Sequence, residues 1–368
     1  MSGEEIADES TAVESPRRVD LSDRVPALTI VSHAVAQRAG EQSLLRRMAP
    51  GRPIQLSRNS PEFIPPGKIL GAPLNDPFIS RKPIEFSPGP GGGVHIGVPA
   101  GVKLVAGTVG GAVGGTVVDG GMDLTRDDLV AGVPLEIADR VVLLLHLVDS
   151  TPVEAQDALG MVGTSAVIRR IRLAIERVSD VRWPVLIRGE TGTGKELVAR
   201  AIHDRSPRRD ARFVPVNLGA LPRELAAAEL FGSTRGAFTG ALRDRDGMFR
   251  AAHGGTLFLD EIGEASADIQ ATLLRALETG EILPIGADKA VATDVRVIAA
   301  TDAKLEEKIR RDQFKAPLLF RLAGYELWVP PLRERREDIG PLFYHFAREE
   351  LAAVGELDRL APTDRYAS

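Results

Sequence analysis

Cysteine is absent from the 368-residue chain. That excludes disulfides, thiolate metal sites and cysteine nucleophiles, and it fits a reducing, cytoplasmic setting. Long apolar runs are missing too. The run VVLLLHLV at 141–148 is far too short to cross a bilayer and reads as a buried strand. The N-terminus, MSGEEIADESTAVESPRRVD, is acidic and polar where a signal peptide needs a basic, then apolar, start. Positive charge is in deficit: 46 Lys and Arg against 51 Asp and Glu leave a formal net charge of −5. Nothing global therefore points to nucleic acid. No internal repeat is evident. What remains is an ordinary apolar fraction and enough length for two or three domains.

The texture changes along the chain. Residues 1–24 are charged and aperiodic and read as a disordered acidic tail. From 25 to 148, short apolar runs such as ALTIVSHAV, KPIEFSPG and RVVLLLHLV are broken by Gly and Pro, which predicts a small all-β domain. Its glycine-rich middle, AGTVGGAVGGTVVDGG, reads as a flexible insert or weak strands. Residues 149–160 read as a linker. From 161 to 332, apolar strands alternate with amphipathic helices: SAVIRRIRLAIERV, WPVLIRG, KELVARAIHDR, RFVPVNL, RELAAAELF, GTLFLDEIG, ADIQATLLRALETG, DVRVIAATD. That alternation predicts an α/β domain with a parallel sheet covered on both faces.

The chemistry concentrates in the second domain. GETGTGKE, comprising Gly189, Glu190, Thr191, Gly192, Thr193, Gly194, Lys195 and Glu196, fits G-x-x-x-x-G-K between a strand and a helix. Its backbone amides suit phosphate, the helix N-terminus favours an anion, and Lys195 reaches the β- and γ-oxygens. TLFLDE places Asp260 and Glu261 at the end of a buried strand. Asp260 is suited to a Mg²⁺ shell and Glu261 to polarising an attacking water. Asn217 ends the intervening strand within reach of Glu261. Phosphoryl transfer also needs positive charge, for which Lys315 and Arg321 are candidates; the other basic residues of 314–339 read as solvated surface charge. One stretch fits neither helix nor strand. ELFGSTRGAFTGALRD (229–244) sets Gly236, Ala237, Phe238, Thr239, Gly240 and Ala241 in a row, an aromatic tip between glycine hinges.

These landmarks, together with VRVIAATD and PPLRERREDI, resemble in order and spacing the AAA+ domain of sigma-54-dependent transcriptional activators. The resemblance covers nearly half the chain, and GAFTGA is its most specific element. It implies a hexameric ring with ATP and Mg²⁺ bound between subunits. Lys195, Asp260 and Glu261 would act within one subunit, Arg321 would reach the neighbour's γ-phosphate, and Asn217 would switch Glu261. MVGTS (161–165) would lie beside the adenine. Phe238 and Thr239 would press on sigma-54 and remodel the closed RNA polymerase complex. Three positions depart from the pattern: the first arginine finger falls on Lys315, a usual aspartate is Pro317, and the sensor asparagine is Asp302. Residues 333–368 match only the start of a helical lid, so a truncated product or a protein without its own DNA reader is expected, and no DNA-binding element is encoded in this chain.

The N-terminal part resembles a forkhead-associated β-sandwich through IQLSRNSPEF and PLNDPFISRKPIEF. The resemblance implies that Arg58 and Ser80, with Arg81 nearby, contact a phosphothreonine. Two readings stay open: an ATP-driven activator under N-terminal control, or a non-catalytic phosphopeptide-binding regulator with a vestigial ATPase.

Overall fold

The computed structural model describes residues 24–46, 48–66, 68, 70–107, 115–149, 158–237 and 243–357. Residues 1–23 of the expected acidic tail and 150–157 of the expected linker lie outside the described residues.

The N-terminal unit comprises β1 (Arg24–Ser32), β2 (Gln42–Leu44), β3 (Ile54–Leu56), β4 (Ile84–Pro88), β5 (Val94–Gly97), β6 (Leu104–Ala106), β7 (Thr116–Val117), β8 (Gly121–Leu124), α1 (Arg126–Ala131), β9 (Val133–Ile137) and β10 (Val141–Asp149). A six-stranded sheet, β2-β1-β10-β9-β6-β7, faces a four-stranded one, β3-β4-β5-β8. Alternation sets the inner face. In β9, Val133, Leu135 and Ile137 point inward, joining Phe63, Phe86 and Ile96 in one apolar core. The glycine-rich middle contributes β7 and β8, while 108–114 lie outside the described residues. The domain is not purely β, because α1 interrupts it. Its signal was present as a capping box: Asp128 N–H donates to Thr125 Oγ1 (3.2 Å) and Thr125 N–H to Asp128 Oδ2 (2.8 Å). Strand β10 is buried on both faces, because its outer residues Leu144 and His146 are also covered.

The second unit runs α2 (Ala166–Ser179), β11 (Val185–Arg188), α3 (Lys195–Asp204), β12 (Phe213–Asn217), α4 (Arg223–Phe231), α5 (Met248–Ala251), β13 (Thr256–Asp260), α6 (Ala267–Thr279), β14 (Glu281–Ile282), β15 (Val291–Ala292), β16 (Arg296–Thr301), α7 (Leu305–Arg310), α8 (Ala316–Leu322), β17 (Tyr325–Trp328) and α9 (Ile339–Ala353). The five-stranded sheet β12-β13-β16-β11-β17 is parallel throughout. Its two faces bury separate clusters. One holds Ile168, Ile171, Ile175 and Val178 of α2 against Val185, Phe258 and Ile298; the other holds Leu257, Leu259 and Val297 against α4, α6 and α8. Helix α2 begins where Ser165 Oγ accepts the Ile168 amide (3.2 Å). β17 and the β14–β15 hairpin are too short for periodicity to reveal. Among the described residues no helix is long and apolar enough to cross a membrane.

The two units touch through the segment leading into α9. Gly340 packs on the backbone of Val31 in β1, Pro341 lies over Gly40, and Arg336 Nη1 donates to Gly132 O (3.5 Å). Glu337 enters the covered side of β10, with Oε2 4.0 Å from His146 Nδ1, while His146 Nε2 lies 2.7 Å from Thr29 Oγ1. Burial holds His146 down to about 4, so it is neutral near pH 7, and the contact with Glu337 is then no ion pair. Burial raises Glu337 to about 7. A carboxyl raised in the folded state costs nothing below its unfolded pKa near 4.5 and its full penalty above about 7. Glu337→Gln removes that penalty, which is on the order of 3 kcal/mol. The variant should resist denaturant better than the parent at pH 8, with the gap closing towards pH 4.5. Parallel denaturation curves at both pH values check this, and a gap that widens on acidification contradicts it.

Candidate nucleotide site

A parallel sheet delivers the ends of all its strands to one edge, which is where doubly covered sheets bind ligands. Here the loop after β11, Asn217 at the end of β12, Asp260 at the end of β13 with Glu261 just beyond it, and Asp302 just after β16 meet along that edge. The first of these loops wraps into the N-terminus of α3. Gly192 and Gly194 take φ of +81° and +96°, left-handed values that a side chain resists, and Gly194 is the residue from which α3 starts. Lys195 Nζ donates to the carbonyls of Gly189 (2.9 Å) and Glu190 (3.1 Å). Thr193 Oγ1 donates to Glu190 O (2.8 Å). Thr191 Oγ1 donates to Asp302 Oδ2 (2.7 Å), so the carboxylate at the sensor position holds the loop itself. Glu196 sits exposed in the first turn of α3.

Glu261 is the conformational exception at the strand end. Its φ of 54° and ψ of 44° put a non-glycine residue in the left-handed region, at a cost of order 1–3 kcal/mol. Its amide donates to Asp260 Oδ1 (2.9 Å). Its carboxylate leans over Gly219: a Cβ there would overlap Oε2 outright and sit 3.3 Å from Asn217 Oδ1. Asn217 and Glu261 thus border one space, although Asn217 spends its oxygen on the Ala220 amide (3.1 Å). Among the described residues no group of three or more His, Cys, Asp or Glu could cage a metal. A hard cation held by Asp260 would draw its other oxygens from phosphate and water, which is how Mg²⁺ binds in nucleotide sites.

The remaining expected residues lie elsewhere. Arg321, on α8, donates from Nε (3.2 Å) and Nη2 (3.1 Å) to Leu277 O, the carbonyl of a residue in α6. Lys315 begins α8, its amide donating to Gln270 Oε1 (2.8 Å). Gly236 and Ala237 stand at the base of a segment whose Phe238, Thr239, Gly240 and Ala241 lie outside the described residues. That base is tied by backbone pairing: Ser233 with Arg245 (3.1 and 2.8 Å), Thr234 N–H to Ile285 O (2.9 Å), Ile285 N–H to Gly232 O (2.9 Å). In the N-terminal unit Arg58 and Ser80 are adjacent, with Arg58 N–H donating to Ser80 O (3.3 Å). The Arg58 guanidinium donates to the carbonyls of Ile79 and Pro77, and Arg81 is exposed.

Sequence reasoning missed three side chains that brace the site. Arg333 pairs in a fork with Glu190, which lowers that carboxyl below its ordinary value. Arg335, only 8% exposed, donates to Thr193 O (3.2 Å). Asp338, fully buried, accepts from Thr164 N–H (2.6 Å), Ser165 N–H (2.8 Å) and Ser165 Oγ (2.6 Å). The reading of this charged run as solvated surface is thus corrected for Arg335, whose burial is repaid by a loop carbonyl. Arg333, though exposed, is not idle.

A family model described as the Sigma-54 interaction domain matches residues 161–328. The Nif-specific regulatory protein of Azospirillum lipoferum is 53% identical over 186 residues, covering 50% of this chain and 30% of that protein. The anaerobic nitric oxide reductase transcription regulator NorR of Shigella sonnei is 48% identical over 201 residues, covering 55% and 40%. The chain thus spans well under half the length of these curated relatives. Among solved structures, NtrX from Brucella abortus in complex with ATP superposes with a TM-score of 0.50 at 37% identity, covering 53% of this chain and 42% of that one. Residues 161–328 are thus similar to a sigma-54 interaction domain and carry a P-loop NTPase fold with a parallel sheet.

Proposed function

We propose that the chain is an ATP-hydrolysing activator of sigma-54 RNA polymerase, working in the cytoplasm as a ring of copies, expected to be a hexamer. The observation that carries this reading is the convergence of the phosphate loop, Asp260 and a strained Glu261 on one sheet edge. ATP would lie along Gly189–Glu196, with Lys195 on its outer phosphates and Asp302 steadying Thr191. Asp260 would hold Mg²⁺, whose chemistry is to neutralise charge on the phosphate oxygens. Glu261, set by Asn217, would polarise a water as it attacks the γ-phosphorus. The bond from the bridging oxygen to the γ-phosphorus then breaks, ADP leaves with that electron pair, and the water's proton passes to the carboxylate or the phosphate. Arg321 and Lys315 of a neighbouring copy would meet the developing charge. The 233–245 segment would carry Phe238 and Thr239 to sigma-54. Arg58, Ser80 and Arg81 would give the N-terminal sandwich a phosphothreonine site that governs the ATPase.

Thr239→Ala tests the coupling. ATP turnover should stay within about twofold of the parent, because the residue lies outside the site. Sigma-54 open-complex formation should fall roughly 30-fold, as for the loss of an interface hot spot. Equal loss of both would remove the loop assignment. Turnover absent from the parent chain at micromolar concentration would instead support the vestigial-ATPase reading.

A further inference from the structure

Residues 333–341 alternate between two customers. Arg333 and Arg335 hold the phosphate loop through Glu190 and the Thr193 carbonyl. Asp338 holds the backbone of Thr164 and Ser165, and through Ser165 the start of α2. Arg172 completes that second clamp by donating to Met161 O (2.7 Å) and Gly163 O (2.9 Å). Between and after these residues, Arg336, Glu337, Gly340 and Pro341 face the N-terminal sandwich. The fit is close. A Cβ on Gly340 would lie 2.7 Å from Val31 O and 3.2 Å from Val31 Cα, so the glycine is what lets α9 lie against β1. Pro341 Cγ stands 2.9 Å from where a Cβ on Gly40 would be.

We infer that this strap couples the two units, with docking of the N-terminal sandwich on Arg336–Pro341 pre-organising the loops at 161–165 and 189–195 for nucleotide. The inference rests on the reading of that edge as a nucleotide site. Arg335 and Asp338 are positioning residues in it: they reach loop backbone, not ligand. A strap fixed from both sides leaves the loops less freedom to lose on binding, so the docked chain binds nucleotide more tightly. Coupling of this kind is reciprocal, so nucleotide must also tighten the docking.

Gly340→Ala separates the two faces. Alanine is the better helix former, so α9 itself is not weakened, while the added Cβ meets strand backbone that cannot move aside cheaply. The experiment titrates a fluorescent ADP analogue into the full chain. It also follows hydrogen exchange of peptides covering 26–34 and 130–136, with and without ADP. In the parent, ADP should slow exchange in both peptides. In Gly340→Ala both should exchange faster, and the dissociation constant should rise at least about fivefold. Arg336→Ala, a gentler change on the same face, should move both readouts in the same direction; it decides the matter if Gly340→Ala fails to fold. An unaltered dissociation constant with the sandwich released overturns the coupling. Unaltered exchange in Gly340→Ala overturns the interface. A parent chain that binds no ADP overturns the nucleotide site instead, and so tells the two failures apart.

Discussion

Lys195→Ala should cut nucleotide affinity about 100-fold. The residue does two things at once. An ammonium has three donors, and two of them already go to the carbonyls of Gly189 and Glu190. Those bonds tie the start of α3 back to the first two residues of the loop. The third donor and the charge remain for a phosphate oxygen. Hydrogen bonds to charged groups contribute about 1.5–3 kcal/mol each, so loss of the phosphate contact alone accounts for at least a tenfold effect. Loosening of the loop supplies the rest. Lys195→Arg should recover little, because a planar fork cannot sit between two converging carbonyls and still point at the ligand. Calorimetric titration with ATP and Mg²⁺ measures the effect. Affinity within threefold of the parent would mean that the strand-to-helix turn is only a turn.

Glu261→Gln should leave ATP binding within about threefold and lower turnover by two to three orders of magnitude, the scale expected when a water-activating group is lost. Gly219→Ala should produce part of the same defect without touching the carboxylate. A Cβ at that position overlaps Glu261 Oε2, and the yielding partner is the side-chain end rather than the backbone. The fold therefore survives while the carboxylate is displaced, and a shift of about 1 Å at a reacting group can cost roughly 100-fold. Single-turnover hydrolysis beside equilibrium binding separates the two effects. If Gly219→Ala hydrolyses ATP at the parent rate, the carboxylate works from another position and the assignment of Glu261 as water-activating group fails.

How much of this was legible before the structure depends on the distance over which each signal acts. The loop at 189–196 is eight consecutive residues, and Asp260–Glu261 adjoin a buried apolar strand, so their place at strand ends could be read from local pattern. The parallel sheet followed from alternation, because each βα unit carries its own period. The β character of the N-terminal unit was legible from Gly- and Pro-broken apolar runs, but its division into two sheets was not, and the six-residue α1 was not foreseen. Gly219 gave no sign, since a glycine in a loop reads as a turn until the carboxylate above it is seen. Arg333 meets Glu190 across 143 positions and Asp338 meets Ser165 across 173. No periodicity spans such separations, and a charged run looks alike whether it faces water or a carbonyl.

The segments 233–237 and 243–245 are bound to each other, and to Ile285, largely through main-chain amides and carbonyls. Main-chain bonds do not ask which side chains stand beyond them. Side-chain substitutions within 233–237 and 243–245 that keep the backbone path therefore leave these ties in place. The strand ends that carry Asn217, Asp260 and Asp302 need not shift when those side chains change.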